Sequence, residues 1–268
     1  MKRREKSRVW GAGERSRSIP ESYEEHASFI SKVLFLWMNP LLSLGNKRPL
    51  NPSDLPQLSH CDRSEVIYES IERNWEKTKE TKPSLFSSMV KSFGFPFFMA
   101  SILKLIHDIC QFVGPVMLSK VINFLEDDNP NLPKSTGYIY AVIMFAAAMV
   151  QSVCLRNYFY LCFRTGLRLR SSVITMVYHK SLRLSTCSRA KYSQGEIVNL
   201  MEVDSQKFQD ITSYLQTIWS GPFQIIGSLI LLWGKLGWAT LSGVAVMLVM
   251  IPFTRFISRK LAGIQREL

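Results

Sequence analysis

Residues 93–125 read FGFPFFMASILKLIHDICQFVGPVMLSKVINFL. A run of about 18 or more mostly apolar residues is long enough to cross the hydrocarbon core of a bilayer as a helix. Three more such runs follow, at 138–163, 211–233 and 236–257. Lipid offers no partner to a backbone amide, so each run is expected to satisfy its own amides as a helix. The runs lack strict alternation and are too long for barrel strands. Pro115, Pro222 and Pro252 fall inside them, where membrane helices tolerate proline as a kink. These features predict an all-α membrane protein with about four long transmembrane helices.

Working outward, the 268 residues are 47% hydrophobic and carry a formal net charge of +12. Both averages hide a division, because residues 1–92 are polar and charged whereas 93–268 hold the apolar runs. The charge is also unevenly placed. Residues 164–191 hold Arg164, Arg168, Arg170, Lys180, Arg183, Arg189 and Lys191 with no acid, while 126–134 hold Glu126, Asp127 and Asp128 against Lys134. Basic connections stay on the cytoplasmic side. The expected topology therefore puts the 164–191 connection and both termini in the cytoplasm. Residues 1–17 carry seven basic residues with no apolar segment behind them, so no signal peptide is expected. This tail, 1–26, reads as disordered and solvated, with contact to anionic lipid as the alternative. The five cysteines are scattered and form no CxxC, so free thiols are expected rather than a disulfide frame or a zinc site.

Residues 27–92 form a lead-in. The stretch FISKVLFLWMNPLLSL (29–44) is apolar but too short to span, and Lys32 and Asn39-Pro40 interrupt it; it reads as an interfacial element. PLNPSDLP (49–56) is a turn-rich connector. Residues 64–81 show a helical stripe of Val66, Ile67, Ile71 and Trp75. Leu85, Phe86, Met89, Val90 and Phe93 alternate with serines and Lys91, which predicts an amphipathic elbow helix lying on the membrane before the first span. Past Phe163 the pattern continues as GLRLRSSVITMVYHKSLRL without proline, so the second span is expected to extend as a cytoplasmic stalk. A polar helical stretch at 193–210 precedes the third span.

Inside the first span, Lys104, His107 and Asp108 fall at spacings of three and four, on one helix face. Each ionisable residue at membrane depth costs about 2.5–3.5 kcal/mol on insertion scales. Lys104 and Asp108 can pair at i,i+4, so the cluster is either a structural ion pair or the polar wall of a cavity. Arg156 and Arg164 raise the same question in the second span, although Arg164 can snorkel to the interface. No GxxxxGK[ST] run occurs, so there is no nucleotide-hydrolysing P-loop. No nucleophilic triad or metal-ligating pattern is visible, and the four histidines are scattered. The basic connections flank spans and read as topology signals, not as a nucleic-acid surface.

Several segments together resemble a known family. ASFISKVLFLWMNPLLSLGNKRPLNPSDLPQL (27–58), FRTGLRLRSSVITMVYHKSLRLS (163–185), YSQGEIVNLMEVDSQKF (192–208) and IWSGPFQIIGSLILLW (218–233) look like the C subfamily of ATP-binding cassette exporters, the multidrug resistance-associated type. The resemblance runs from about residue 20 to the end. It implies a type-1 exporter transmembrane domain, here partial, with long helices and cytoplasmic stalks. It also implies that the 192–208 loop docks on a nucleotide-binding domain through a coupling helix bearing Glu196, Asn199, Glu202 and Asp204. The KLIHD run matches a family arrangement that contacts anionic substrate, which assigns that role to Lys104 and His107 with Asp108 as their partner. Matching positions on the next two spans are Leu155, Phe159 and Tyr214. The implied substrates are amphipathic organic anions such as glutathione conjugates and drugs. ATP and Mg belong to the full-length family architecture, and this chain is expected to bind no cofactor or metal of its own. The family suggests a multi-pass protein of the plasma membrane.

The sequence departs from the family pattern by stopping at Leu268, in the fourth helix. The chain is therefore expected to be a fragment, a truncated gene model or a splice product. The alternatives are a non-transporting four-span membrane adaptor or a regulatory truncated isoform. A four-helix channel fits less well, because residues 225–233 are almost wholly apolar.

Overall fold

The computed structural model describes residues 22–79, 84–126, 135–185 and 193–267. Among these residues every regular element is helical. They divide into two compact units, one formed by Met1–Ser92 with Arg168–Ser205 and the other by Phe93–Leu167 with Gln206–Leu268.

In the first unit the apolar stretch at 29–44 does not make one helix. Helix α1 (Phe29–Val33) starts on Ser28, whose side chain accepts from the Ser31 amide. It ends where Phe35 takes a left-handed conformation, φ 58°, which is uncommon for a bulky residue. After a short 3₁₀ turn, helix α2 (Asn39–Lys47) begins with proline in its first turn, where the missing amide costs nothing. The connector that follows is held by Arg48, whose guanidinium donates to both Asp54 oxygens at 2.7 and 2.6 Å. Helix α3 (Ser64–Lys79) buries Ile67 and Ile71, two residues of the expected stripe.

Two features of the lead-in add to the sequence reading. The amphipathic elbow is not a separate element: helix α4 (Leu85–Glu126) runs unbroken through it into the first apolar run, passing Pro96 and Pro115. Its first turns pack their serine side on α3, while Leu85, Phe86 and Val90 stay exposed. Asn74 donates to Ser92 Oγ at 2.7 Å, and the hydroxyls of Ser88 and Ser92 reach the carbonyls of Asn74 and Ser70. Serines at 84, 88 and 92 make a small, polar stripe that lets α3 approach. Of the stretch 1–26, expected to be a disordered tail, only 22–26 are described. Residues 1–21 lie outside the described residues, but Glu25 accepts from Ser59 Oγ at 2.9 Å and from the His60 amide at 2.5 Å. The His60 amide, then Ser59, hold its carboxyl below the usual range.

Helix α5 (Ser135–Arg183) is continuous over 49 residues, roughly 74 Å at 1.5 Å per residue. Its later part belongs to the first unit, where Arg168 Nε donates to Asp62 at 2.6 Å and His179 stacks on Tyr68 at 4.3 Å between centroids. Helix α6 (Gln194–Asn199) opens with a capping box, Ser193 and Glu196 each bonding the other's amide. A π-helical turn, Leu200–Asp204, joins it to α7 (Ser205–Leu236). A 3₁₀ turn at Gly237–Ala239, with Gly237 at φ +53°, leads into α8 (Thr240–Glu267).

Three helical runs are long and apolar enough to cross a membrane: Leu85–Glu126, Ser135–Arg183 and Gln194–Leu261. The third contains both the third and the fourth expected spans. In the most apolar window of each run only 17%, 6% and 6% of the residues are buried. Apolar surface that faces outward is what a helix needs where lipid is the solvent.

The second unit's topology follows from its cross-helix contacts. Along α4, Phe97 and Ser101 meet Gln216, Asp108 meets Ser220 and Gln224, and Ser119 meets Lys235. Numbers rise together, so α4 and α7 are parallel. Between α5 and α7, Tyr158 bonds the Ser213 carbonyl while Gly166 abuts Gln209; one series rises as the other falls, so this pair is antiparallel. At Gly166 a Cβ would lie 2.9 Å from the Gln209 carbonyl oxygen, so only glycine allows the backbones to come this close.

Candidate functional site: a polar seam and a cavity

The ionisable cluster in α4 is built around Asp108. Lys104 Nζ lies 2.9 Å from its Oδ1, His107 Nδ1 lies 3.0 Å from the same oxygen, and Gln224 Nε2 donates to it at 2.8 Å. Ser220 Oγ donates to Oδ2 at 2.5 Å. Asp108 is fully buried, His107 is 6% exposed and the Lys104 side chain 11%. A carboxylate at membrane depth is tolerated only when paired and hydrogen-bonded, and this one meets four side chains drawn from two helices. One turn earlier, Gln216 Nε2 donates to Ser101 Oγ at 2.6 Å while its carbonyl accepts from Trp219 Nε1. Together these contacts form a polar seam between α4 and α7.

The opposite side of the cluster opens into a cavity of about 340 Å³. Four of the substrate-contact residues expected from the sequence line it: Lys104 from α4, Leu155 and Phe159 from α5, and Tyr214 from α7. His107 and Asp108 do not line it; both are turned into the seam. Sequence reasoning missed several walls: Tyr158 and Phe163 from α5, and Gln209, Asp210, Ser213 and Thr217 from α7. It also missed Gln216, Ser220 and Gln224 on the seam. Spacing carries a signal for both sets. Gln216, Ser220 and Gln224 recur every four residues along the third span, and Gln209, Ser213 and Thr217 do the same one stripe away.

The cavity's floor is ordered by its neighbours. Tyr158 is buried with Ala100 and Cys162, its hydroxyl donating to the Ser213 carbonyl at 3.2 Å. The Lys104 ammonium stands 5.7 Å from the Tyr158 ring centroid, within cation–π range. Phe159 stacks with Phe163 at 6.0 Å. An ammonium has three donors, and the bond to Asp108 leaves others for a ligand. Chemically the cavity offers one cation, aromatic faces and a polar α7 wall. Of the two arginines considered in the second span, Arg164 donates to the Tyr160 hydroxyl at 2.9 Å, and Arg156 is exposed on α5.

The segment Gln194–Asp204, expected from the resemblance to bear a coupling helix, lies in the first unit. Glu196, Asn199 and Glu202 are exposed and Asp204 is half-buried. Glu196 is also the capping-box acid of α6. Val198, Leu200 and Val203 are exposed on the same segment; the sequence reading named only its polar residues. Among the described residues no group of three His, Cys, Asp or Glu side chains converges as a metal site.

Comparison with known proteins bears on this arrangement. The family described as the ABC transporter transmembrane region matches residues 97–268. The chain is 42% identical over 238 residues to ABC transporter C family member 8 of Dictyostelium discoideum, covering 88% of this chain and 15% of that protein. It is 32% identical over 276 residues to ATP-binding cassette sub-family C member 3 of Homo sapiens, covering 92% and 18%. It is 35% identical over 272 residues to Metal resistance protein YCF1 of Saccharomyces cerevisiae, covering 94% and 18%. The chain thus spans less than a fifth of the length of these relatives. With apolar helices crossing in alternate directions and a family match over 97–268, this integral membrane chain belongs to the ABC transporter transmembrane region family, and within it to the C subfamily.

Proposed function

We propose that the chain supplies part of the substrate path of an ATP-driven exporter of amphipathic organic anions, such as glutathione conjugates and drugs. The observation that carries this reading is the cavity that joins the Lys104 ammonium to Leu155, Phe159 and Tyr214. Lys104 takes the ligand's carboxylate, and the apolar and aromatic walls take its hydrophobic part. Asp108 acts as a positioning residue, holding the Lys104 ammonium at 2.9 Å. By family resemblance His107 shares the anion with Lys104, although its Nδ1 is directed to Asp108 in this unit.

The segment Gln194–Asp204 is read as the docking face for a nucleotide-binding domain. Glu196, Asn199, Glu202 and Asp204 supply polar contacts, and exposed Val198, Leu200 and Val203 supply apolar ones. ATP and Mg do not fit the residues described: the chain has no P-loop and no metal-ligating cluster among the described residues. They belong to the partner domain. The same reading puts both termini in the cytoplasm of a plasma-membrane protein, with spans near 93–125, 138–163, 211–233 and 236–257.

The test is equilibrium binding of a labelled glutathione S-conjugate to the purified chain in lipid nanodiscs. Saturable binding that weakens about tenfold in Lys104→Met, with Tyr214→Ala weakening it too, is expected. Absence of binding, or binding indifferent to both substitutions, overturns the reading.

A further inference from the structure

The cavity contains a charge that an anion site does not call for. Asp210 lines the same space as Lys104. It is exposed, and the hydrogen bond it accepts, from Gln206 Nε2 at 3.0 Å, leaves a carboxylate oxygen open. A carboxylate beside an anionic ligand repels it, unless the ligand brings a cation to that end.

Resting on the anion-binding reading above, we propose that the cavity is a slot for zwitterionic ligands, in which Asp210 takes an ammonium group while Lys104 takes an anionic one. The helix register sets the span. Ser101 is level with Gln216 and Asp108 with Ser220, so Lys104 stands near Thr217 and Ser220, above Asp210 on α7. The Lys104 ammonium sits beside Asp108, level with Ser220 and ten residues beyond Asp210, so at 1.5 Å per residue the two charges are roughly 15 Å apart along the helix axis. Phe159, Phe163 and Tyr214 lie on the walls between them. Each contact takes up about 3 Å, so a ligand that fits has a free amine and a far carboxylate roughly 10 Å apart and an apolar substituent between. A peptide conjugate with an uncapped amino terminus has this chemistry. A simple aryl sulfate or carboxylate does not.

The experiment compares S-(2,4-dinitrophenyl)glutathione with its N-acetyl form, which keeps both carboxylates and loses the ammonium. Each is titrated into the purified full chain in nanodiscs. The unmodified chain is expected to bind the free-amine form about tenfold tighter. Asp210→Asn should erase that preference by weakening only the free-amine form, and Asp210→Glu should retain it. Unchanged binding of the acetylated form by Asp210→Asn also shows that this variant is folded. Equal affinity of the unmodified chain for the two forms overturns the Asp210 assignment and leaves the anion reading intact. Loss of both forms in Asp210→Asn and Asp210→Glu alike also overturns it, because the residue is then structural. No binding of either form by the unmodified chain overturns both readings.

Discussion

Where α7 meets α4, Gln216, Ser220 and Gln224 close on Ser101 and Asp108 in a seam with little exposed surface; one stripe away, Gln209, Asp210, Ser213 and Thr217 line a cavity and leave polar capacity unspent. Both faces belong to one helix and both carry polar residues at four-residue spacing. They differ in satisfaction. In the seam the buried carboxylate meets four side chains, so the polar groups act as glue between helices, which is what lipid demands of them. In the cavity the Lys104 ammonium and the Asp210 carboxylate keep open positions, so the polar groups are available to a ligand. The lesson is that polarity inside a span does not mark a binding site; incomplete pairing beside an open volume does.

The comparison breaks most directly at Asp108. Asp108→Ala leaves the Lys104 ammonium buried without its acceptor and strips a partner from Ser220 and Gln224. A loss of about 3–5 kcal/mol is expected, read as a fall in thermal midpoint in nanodiscs, with ligand binding lost as well. Gly166→Val comes next. Its Cβ must sit where the Gln209 carbonyl already is, and prying α5 from α7 should cost about 1–3 kcal/mol. Phe159→Ala should separate the two faces. Phe159 is 42% exposed on the cavity wall, so conjugate affinity should fall about tenfold, near 1.4 kcal/mol, with a much smaller change in thermal midpoint. Gln224→Leu tests the seam's redundancy. Removing one of the donors to Asp108 should cost about 0.6–1 kcal/mol and leave affinity for the conjugate nearly unchanged. If Gln224→Leu moves affinity more than stability, the division between glue and recognition fails.

The smallest effect lies in the lead-in, where partners meet in water. The Glu25 carboxyl is held below its usual range, first by the His60 amide and then by Ser59. A depressed carboxylate contributes stability that is fully present above the ordinary glutamate value and is lost as pH falls through the lower, folded value. Glu25→Gln should therefore flatten the acid side of a stability–pH profile, with a small loss of stability near neutrality that disappears in acid.

Much of this was legible before any coordinates. The all-helical membrane class follows from runs too apolar and too long for anything else, and the long stalk of α5 from a helical pattern that no proline interrupts after Phe163. The elbow stretch is the start of the longer helix α4, which its own pattern does not show. Leu85, Phe86, Met89 and Val90 do form an amphipathic stripe, but the serines at 84, 88 and 92 gave no hint that α3 would cover the other face. Lys104 and Asp108 could be paired by spacing alone. Leu155, Phe159 and Tyr214 came through family resemblance, and only the fold shows that they share a cavity with Lys104.

The sequence by itself determined that this chain lives in a bilayer, that its spans are helices and that Lys104, His107 and Asp108 share one helix face. Those conclusions depend on local composition and on a 3.6-residue period, which the chain carries wherever it folds. Only the tertiary structure decided that Asp108 is tied to Ser220 and Gln224, more than a hundred residues away, and that Lys104 and Asp210 face one space. Those depend on the parallel register of α4 and α7 and on the close crossing at Gly166. Such registers are settled by how side chains interdigitate between helices, and no single segment contains that information.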